Sequence, residues 1–305
     1  MAVQFLRRLR SGGPGTSSAR HPGGRAVTGG RAVTAALLVP AIAFLALFFF
    51  YPILITFGTS ITPADGTGVT YEEYSKILSS PKDWGVIALT LGLAVGTTVI
   101  SVLLAVPLAL ILRRRIRGHR ALRLLVLAPL MILALVSALG LLILWDRNGW
   151  LNLLFSRLLP FSDGPLQIDY TIPGLLIFYT WLYSPFTILT TLSAVEGIDP
   201  NVEEAARVSG AAPWRVFRSV TLPLAWPGIR AGSVLTFLLA FGAFSVPLIA
   251  GGNHRPLPVL IYTEAAVFQN FERGSALAMV MAVVALAAIA LYTRFSSKPV
   301  RGSAG

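Results

Sequence analysis

The residue types that usually perform catalysis or bind metal ions are few in this 305-residue chain, and they lie far apart. There are no cysteines, which excludes disulfides, thiolate zinc sites and thiol catalysis. The three histidines, His21, His119 and His254, fall in three separate predicted loops and form no metal-binding group. The chain contains no G-x-x-x-x-G-K-[ST] loop, so it is not predicted to bind and hydrolyse ATP itself. These residues predict neither an enzyme nor a metalloprotein.

The composition instead indicates a membrane protein. Hydrophobic residues make up 55% of the chain, charged residues only 12%, and the mean hydropathy is +0.73. A soluble protein carries about 25% charged residues, whereas a membrane helix needs about 20 consecutive apolar residues. Six apolar runs predict an all-α, polytopic membrane protein with six transmembrane helices. The predicted spans are Val33–Phe57, Gly85–Leu112, Leu124–Trp145, Ile172–Leu192, Ile229–Ala250 and Ser275–Tyr292.

The rest of the chain is divided around these spans. Residues 1–32 are rich in Gly, Ser, Pro and Arg without apolar periodicity, which predicts a disordered basic arm. A signal peptide is the alternative, but the apolar run that follows is too long and lacks a small-residue cleavage site. Residues 33–295 are predicted to form one transmembrane domain that includes a long loop, 193–228. Residues 296–305 form a tail.

The distribution of charge predicts the orientation. If the N-terminus is cytoplasmic, 19 of the 25 Lys and Arg residues lie on the cytoplasmic side and nine of the 13 acidic residues lie outside. Positive charge concentrates on the cytoplasmic side of membrane proteins. The sequence therefore predicts a multi-pass inner-membrane protein with both termini in the cytoplasm. The net charge of +12 has the same origin and does not indicate a nucleic-acid partner.

The loop between the fourth and fifth predicted spans, Ser193–Gly228, contains the most specific signals. Asp199 is predicted to cap a helix whose first residue is Pro200, the favoured helix position for proline. Gly210 is predicted to end that helix in the left-handed conformation. Acidic residues near the N-terminus of this helix would interact favourably with its dipole. These residues are Glu203 and Glu204.

A second short helix is predicted to begin at Pro213 and to end at Leu222-Pro223, where the chain returns to the membrane. Trp214 and Phe217 are three residues apart and would share one apolar face, with Arg215 and Arg218 on another. Two short amphipathic helices cannot bury their own apolar faces, so they need a partner surface. On these facts alone the partner could be a protein or the lipid headgroups.

The spacing within this loop resembles a known signature. Glu204-Ala205-Ala206, then Gly210, then Val220 and Leu222-Pro223 resemble the EAA signature of ABC importer permeases. The chain from about Val33 to Phe295 is similar to the six-span, type I, binding-protein-dependent permease subunit. The resemblance implies a non-catalytic subunit that forms half of a translocation pathway and contacts a cytoplasmic ATPase through the loop. The residues assigned to that contact are Glu203, Glu204, Ala205, Ala206, Arg207, Gly210, Ala212, Pro213, Trp214, Phe217, Leu222 and Pro223.

The same resemblance implies the partners. They are a cytoplasmic ABC ATPase dimer, a second permease subunit that is identical or homologous, an extracytoplasmic solute-binding protein and the lipid bilayer. ATP and Mg²⁺ would be bound by the ATPase, and this chain itself is expected to need no cofactor. An ion-coupled secondary transporter is the alternative class, but it normally has more spans and a charged residue at the membrane midplane.

The transported solute is predicted less directly. The run from Phe241 to Gly252 and the run from Leu257 to Glu264 are similar to permeases for polyamines, ferric iron, thiamine or aminophosphonates. A carbohydrate or glycerol-phosphate importer is the alternative. Polar and aromatic residues of the fourth and fifth spans are candidates for lining the pathway. They are Tyr179, Trp181, Tyr183, Phe241, Phe244 and Ser245.

Overall fold

The computed structural model of the chain describes residues 37–63, 68–114, 118–158 and 168–296. Within these ranges the chain forms twelve helices and no strand. The predicted arm, 1–32, and most of the predicted tail lie outside the described residues. The helices are α1 (Leu37–Ser60), α2 (Glu72–Ser79), α3 (Pro81–Arg113), α4 (His119–Met131), α5 (Ala134–Trp145), α6 (Trp150–Leu158), α7 (Ile172–Glu196), α8 (Pro200–Val208), α9 (Pro213–Phe241), α10 (Ser245–Ala250), α11 (Leu257–Val267) and α12 (Phe271–Ser296).

The chain divides after Ile53 into two compact units, so α1 is described by itself. Its 24 residues give a length of about 36 Å at 1.5 Å per residue, which is enough to cross the apolar core of a bilayer. None of the residues in its apolar window is buried within the chain. Phe44 and Phe48, one turn apart, place their ring centroids 4.7 Å from each other. Helix α1 is therefore suited to an apolar environment along its whole length.

Within the described residues, five helices are long and apolar enough to cross a membrane, and the bent pair α4–α5 makes six if it counts as one span. The all-α prediction is therefore confirmed, but the third span, Leu124–Trp145, is wrong as one continuous helix. Its two halves meet at an angle of 111°. Pro129 removes a backbone donor from α4, and Ile132 and Leu133 then adopt ψ angles near 135° that no helix allows. The five long helices are α1, α3, α7, α9 and α12.

The fifth predicted span, Ile229–Ala250, is displaced towards the N-terminus in the structure. Helix α9 ends at Phe241, and Ser245–Ala250 forms the separate helix α10. Gly242 caps the end of α9, and Pro247 stands at the third position of α10. A proline is tolerated in a first helical turn because its missing N–H has no partner there. Apolar character alone therefore misplaced this span by merging two helices.

Helices α3, α7 and α9 pack against one another and form the centre of the bundle. Helices α7 and α9 come close because Gly228 and Gly232 lie where they cross. A Cβ atom on Gly232 would lie 2.1 Å from Thr190 Oγ1 and 2.7 Å from Thr187 Cα. Small residues permit such close approach, which favours helix association inside membranes. The buried hydroxyls of Thr187 and Thr236 also form a 2.7 Å hydrogen bond between the two helices.

One end of the bundle is joined by an ion-pair cluster around Arg273, near the start of α12. Arg273 donates through Nη2 to both carboxylate oxygens of Asp83, at 3.1 and 3.0 Å, and Asp83 is only 2% exposed. Arg273 also donates through Nε to Glu264 at 3.3 Å and lies 3.8 Å from Glu73. These contacts tie together α2, α3, α11 and α12. We call this the Asp83 end of the bundle, and the other end of α3 the Arg113 end.

Candidate functional site

Helix α8 and its two ends have the local structure that the sequence predicts. The side chain of Asp199 accepts a hydrogen bond from the backbone N–H of Asn201 at 2.9 Å, and Pro200 is the first helical residue. Gly210 has a φ of +83°. The backbone N–H of Gly210 bonds to the carbonyl of Arg207, and that of Ala211 bonds to the carbonyl of Ala206. This pair of bonds is the Schellman motif, which satisfies carbonyls left open at the helix end.

Replacing Gly210 by alanine tests how much this turn depends on glycine. No atom lies within 4 Å of a Cβ built there, so the cost is conformational only, about 1 kcal/mol of unfolding free energy for a non-glycine residue in the left-handed region. Gly197→Ala is the matched control, because Gly197 also ends a helix but has a φ of −75°. We expect Gly210→Ala to lower the thermal unfolding temperature and Gly197→Ala to leave it unchanged. Equal unfolding curves would contradict the assigned turn.

The second half of the loop differs from its prediction. The helix that begins at Pro213 does not end at Leu222-Pro223 but continues as α9 to Phe241. Between Phe217 and Thr221 the helix widens, and the N–H of Leu222 bonds to the carbonyl of Phe217, five residues back. The widened turn changes the hydrogen-bond spacing just before Pro223, whose missing donor would interrupt a regular helix. The loop therefore contains the short helix α8, a turn, and the first residues of the membrane helix α9.

Glu203 joins α8 to the Arg113 end of the bundle. Its Oε1 accepts a hydrogen bond from Arg113 Nη1 at 2.7 Å and from Thr221 Oγ1 at 2.7 Å. Arg207 lies 3.6 Å from its other oxygen, and Arg113 also donates to the carbonyl of Ile198 at 3.1 Å. Glu203 is 8% exposed. These contacts, named here the Glu203 cluster, connect α8 with the end of α3 and the start of α9.

The charge state of Glu203 follows from its surroundings. Burial by itself raises the pKa of this carboxyl, because it removes water from the charged form. The hydrogen bonds from Thr221 and Arg113, and the positive charges of Arg113 and Arg207, lower it by more. The pKa of Glu203 therefore lies below its ordinary value of 4.5. Glu203 is ionised at neutral pH and holds two arginines.

The opposite face of α8 points outward. Glu204 and Ala205 are exposed, and Val208 is 83% exposed. Trp214, at the start of α9, is 66% exposed, and its ring lies 5.3 Å from that of Phe217. Among the remaining loop residues assigned above, Arg207, Gly210, Ala212 and Pro213 are exposed, whereas Ala206, Phe217, Leu222 and Pro223 are half-buried. We call the outward group the exposed loop surface, formed by Val202, Glu204, Ala205, Val208 and Trp214.

The six candidate pathway residues have different environments. Tyr179 and Phe241 are 1% and 3% exposed and belong to the apolar core between α7, α9 and α10. Tyr183 packs against the same core and its ring is 5.7 Å from that of Tyr179. Trp181 is 38% exposed on the outside of α7. Phe244, which packs on Tyr262, and Ser245 are half-buried.

Two members of the Glu203 cluster, Arg113 and Thr221, are not predicted from the sequence. In the sequence, Arg113 is one of several basic residues that follow the second span and nothing distinguishes it from the others. Thr221 belongs to no recognisable motif. Arg113 and Glu203 are 90 residues apart, and no periodicity connects them. Among the described residues, no group of three or more His, Cys, Asp or Glu residues is arranged to hold a metal ion.

Together these observations define an all-helical membrane protein that presents a short helix and a turn at one end. The chain belongs to the family described as the binding-protein-dependent transport system inner membrane component, whose family model matches residues 94–299. It is therefore a permease subunit of a binding-protein-dependent importer, as the loop signature predicted. Members of this family are transport components located in the inner membrane.

Individual relatives agree with this assignment. The chain is 28% identical over 267 residues to the spermidine/putrescine transport system permease protein PotB of Escherichia coli (strain K12), covering 85% of this chain and 96% of that protein. It is 31% identical over 222 residues to the molybdenum transport system permease protein ModB of Mycobacterium bovis (strain ATCC BAA-935 / AF2122/97), covering 71% and 81%.

Solved structures have the same fold. A bacterial ABC transporter involved in the import of the acidic polysaccharide alginate matches with a TM-score of 0.73 at 18% identity, covering 90% of this chain and 98% of that one. The MetNI methionine ABC transporter in an inward-facing conformation matches with a TM-score of 0.54 at 18% identity, covering 72% and 97%. At this level of identity the two structures support the type I importer permease fold of the chain and say nothing of its solute.

Proposed function

We propose that the exposed loop surface is the site where a cytoplasmic ABC ATPase binds and transmits the energy of ATP hydrolysis to this permease. One observation carries the proposal, namely that two adjacent glutamates have opposite surroundings. Glu203 is held inside the chain by two arginines and Thr221. Glu204 points outward and takes part in no ion pair among the described residues. A carboxylate presented in this way is free for a partner.

The Glu203 cluster gives the loop a mechanical role in this proposal. A partner that pulls or tilts α8 acts on Arg113 at the end of α3 and on Thr221 at the start of α9. Both helices belong to the centre of the bundle and pack along α7. Rigid elements joined by hydrogen bonds and ion pairs can carry such a displacement over long distances. The contact would thereby move membrane helices rather than a flexible loop.

Charge and shape also support a protein partner at this end. A cavity of about 600 Å³ lies between the end of α3, α8 and the start of α9, and its lining includes Arg113, Arg114 and Arg207. Arg215 and Arg218 are exposed on the first turns of α9. Acidic residues of an ATPase would complement this surface, and such complementarity chiefly favours correct and rapid association. ATP and Mg²⁺ are bound by that ATPase in this proposal, and no cofactor is assigned to this chain.

The wider assembly follows from the same proposal. The Arg113 end is cytoplasmic, both termini are cytoplasmic, and the chain supplies half of a pathway that a second permease subunit completes. An extracytoplasmic binding protein delivers a small polar solute at the Asp83 end. The solute is of the polyamine, iron, thiamine or aminophosphonate group, and the spermidine/putrescine permease PotB, which covers most of this chain, supports the polyamine member. Of the pathway candidates, Trp181, Tyr183, Phe244 and Ser245 are at least partly exposed in the single chain.

The test compares Glu204→Ala with Glu72→Ala, an exposed glutamate of α2 at the Asp83 end, whose side chain is 67% exposed and lies 2.9 Å from Lys76. The wild type and each variant are co-expressed with their genomic neighbours, and retention of an ATPase and ATP-dependent uptake are measured in vesicles. Loss of a charge-assisted hydrogen bond is expected to weaken ATPase binding at least about tenfold. The unfolding temperature should not change in Glu204→Ala, because Glu204 forms no ion pair with any described residue. Equal retention by both variants would reject the loop as the docking site.

A further inference from the structure

A second polar cavity lies at the Arg113 end, beside the Glu203 cluster. Its volume is about 380 Å³, and it is enclosed by the end of α3, the start of α4 and the end of α7. Among the described residues that line it, most are charged or polar, and the apolar ones are Leu112 and Leu192. The charged and titratable residues that line it are Arg113, His119, Arg120, Arg123 and Glu196. Of these residues, only Arg113 has a part in the proposed coupling mechanism, through Glu203.

The charges in this cavity do not balance. Three arginines face one glutamate, which gives a formal charge of +2 with His119 neutral. Arg113 is already bound to Glu203, whereas Arg120 and Arg123 take part in no ion pair among the described residues. Arg120 is the second residue of α4 and Arg123 the fifth, so they are three residues apart and on the same side of the helix. Two arginines with free guanidinium groups beside a cavity are well suited to bind an anion with several oxygens.

The residues that follow Arg123 in α4 indicate which kind of anion would fit. Leu124 is 63% exposed and lies one turn beyond Arg120, on the same side of the helix. A helix face that presents arginines and an exposed leucine fits the boundary between lipid headgroups and acyl chains. A molecule that carries a phosphate and an apolar tail would contact both kinds of side chain. A phosphate group without a tail would contact only the arginines.

We propose that this cavity is a phosphate-binding site, occupied by the headgroup of an anionic phospholipid that Arg120 and Arg123 hold against the start of α4. The lipid acyl chains extend past the exposed side chain of Leu124 on the same face of α4. The site is distinct from the exposed loop surface, and it does not require an ATPase. Free inorganic phosphate shares the same chemistry, so the experiment includes both sources.

The test measures lipid retention by native mass spectrometry of the full chain, purified from nanodiscs of phosphatidylcholine with phosphatidylglycerol as the minor lipid. The variant is Arg120→Gln/Arg123→Gln. Its control is Arg215→Gln/Arg218→Gln, which removes two exposed arginines with the same spacing outside the cavity. Each arginine near an anionic headgroup contributes about fivefold, so we expect about a thirtyfold loss of phosphatidylglycerol retention in the variant. The control should retain the lipid like the wild type.

A second arm uses phosphatidylcholine alone and adds inorganic phosphate, with thermal unfolding as the readout. Protection by phosphate that only the Arg120/Arg123 variant loses would assign the site to soluble phosphate instead of lipid. Single Arg120→Gln and Arg123→Gln variants replace the double variant if it does not yield folded protein. Equal retention by variant and control, together with no phosphate protection, would overturn the proposal.

Discussion

Gly232→Ala is expected to destabilise the chain by about 2–3 kcal/mol in unfolding free energy, although it adds only one methyl group. The new Cβ would overlap Thr190 Oγ1 at 2.1 Å and would lie 2.7 Å from the backbone Cα of Thr187. A side chain could rotate away, but a backbone atom cannot, so α7 and α9 must separate. Overpacking of this kind costs about 1–3 kcal/mol, and separation would also weaken the Thr187–Thr236 hydrogen bond.

Gly92→Ala is the control for this prediction. Gly92 lies inside α3, and no atom outside its own helical turn lies within 4 Å of a Cβ built there. Alanine is favoured over glycine inside helices by about 0.5–1 kcal/mol, so this variant should be at least as stable as the wild type. The two variants are compared by unfolding in detergent micelles with increasing denaturant. If both variants move the unfolding midpoint in the same direction, the assigned close contact between α7 and α9 at Gly232 is wrong.

Glu203→Gln is expected to have the second large effect. The amide keeps the size of the carboxylate but loses its charge, so Arg113 and Arg207 lose their common partner. Breaking a fully buried ion pair by removing one side costs about 3–5 kcal/mol, and an exposed pair contributes at most about 1 kcal/mol. Glu203 is 8% exposed while Arg207 is mostly exposed. We therefore expect a loss of about 2 kcal/mol, measured as a lower midpoint in thermal or denaturant unfolding.

The pH dependence of unfolding separates this role from a purely steric one. Because the pKa of Glu203 is lowered in the folded chain, its contribution is complete above its ordinary pKa of 4.5. That contribution disappears as the pH falls through the lower, folded value. The difference in stability between wild type and Glu203→Gln should therefore be constant near neutral pH and should shrink below about pH 4.5. A difference that stays constant down to strongly acidic pH would exclude the ionised carboxylate as its source.

Glu204→Gln is the matched control for Glu203→Gln, because the two residues are neighbours in the same helical turn. Glu204 is exposed, and surface substitutions of this kind usually change stability by less than about 0.5 kcal/mol. We expect Glu203→Gln to lower stability and Glu204→Gln to leave it unchanged. In the proposed function, Glu204→Gln impairs ATPase binding even though the chain is fully folded. A reversed pattern would mean that the two glutamates have been assigned to the wrong faces.

Much of the fold could be predicted from the sequence, because both lipid and local backbone chemistry act on short segments. Apolar length alone located four of the long membrane helices, α1, α3, α7 and α12, since a bilayer demands about 20 apolar residues from each span. The cap at Asp199 and the left-handed turn at Gly210 were predicted for a similar reason. Each depends on residues within one turn of the helix, and the structure contains both.

The errors occurred where hydropathy cannot distinguish a helix from its interruption. The break between α4 and α5 lies within one apolar run, and so does the end of α9 at Phe241. The continuation of α9 through Leu222-Pro223 was also missed, since Pro223 normally indicates a helix end. The widened turn at Phe217–Thr221 accommodates that proline, and only the folded chain shows it.

The sequence by itself determined the class of this protein, its helical membrane domain and the loop signature, because these depend on composition and on residues close together in the chain. The tertiary structure decided which face of α8 packs against α3 and α9 and which face is exposed and available to a partner. Glu203 and Glu204 have the same side chain, and only the approach of Arg113, 90 residues away, separates their roles. The cavity beside Arg120 and the close crossing at Gly232 are likewise contacts between distant helices. Such contacts arise when helices pack, and no local pattern encodes them.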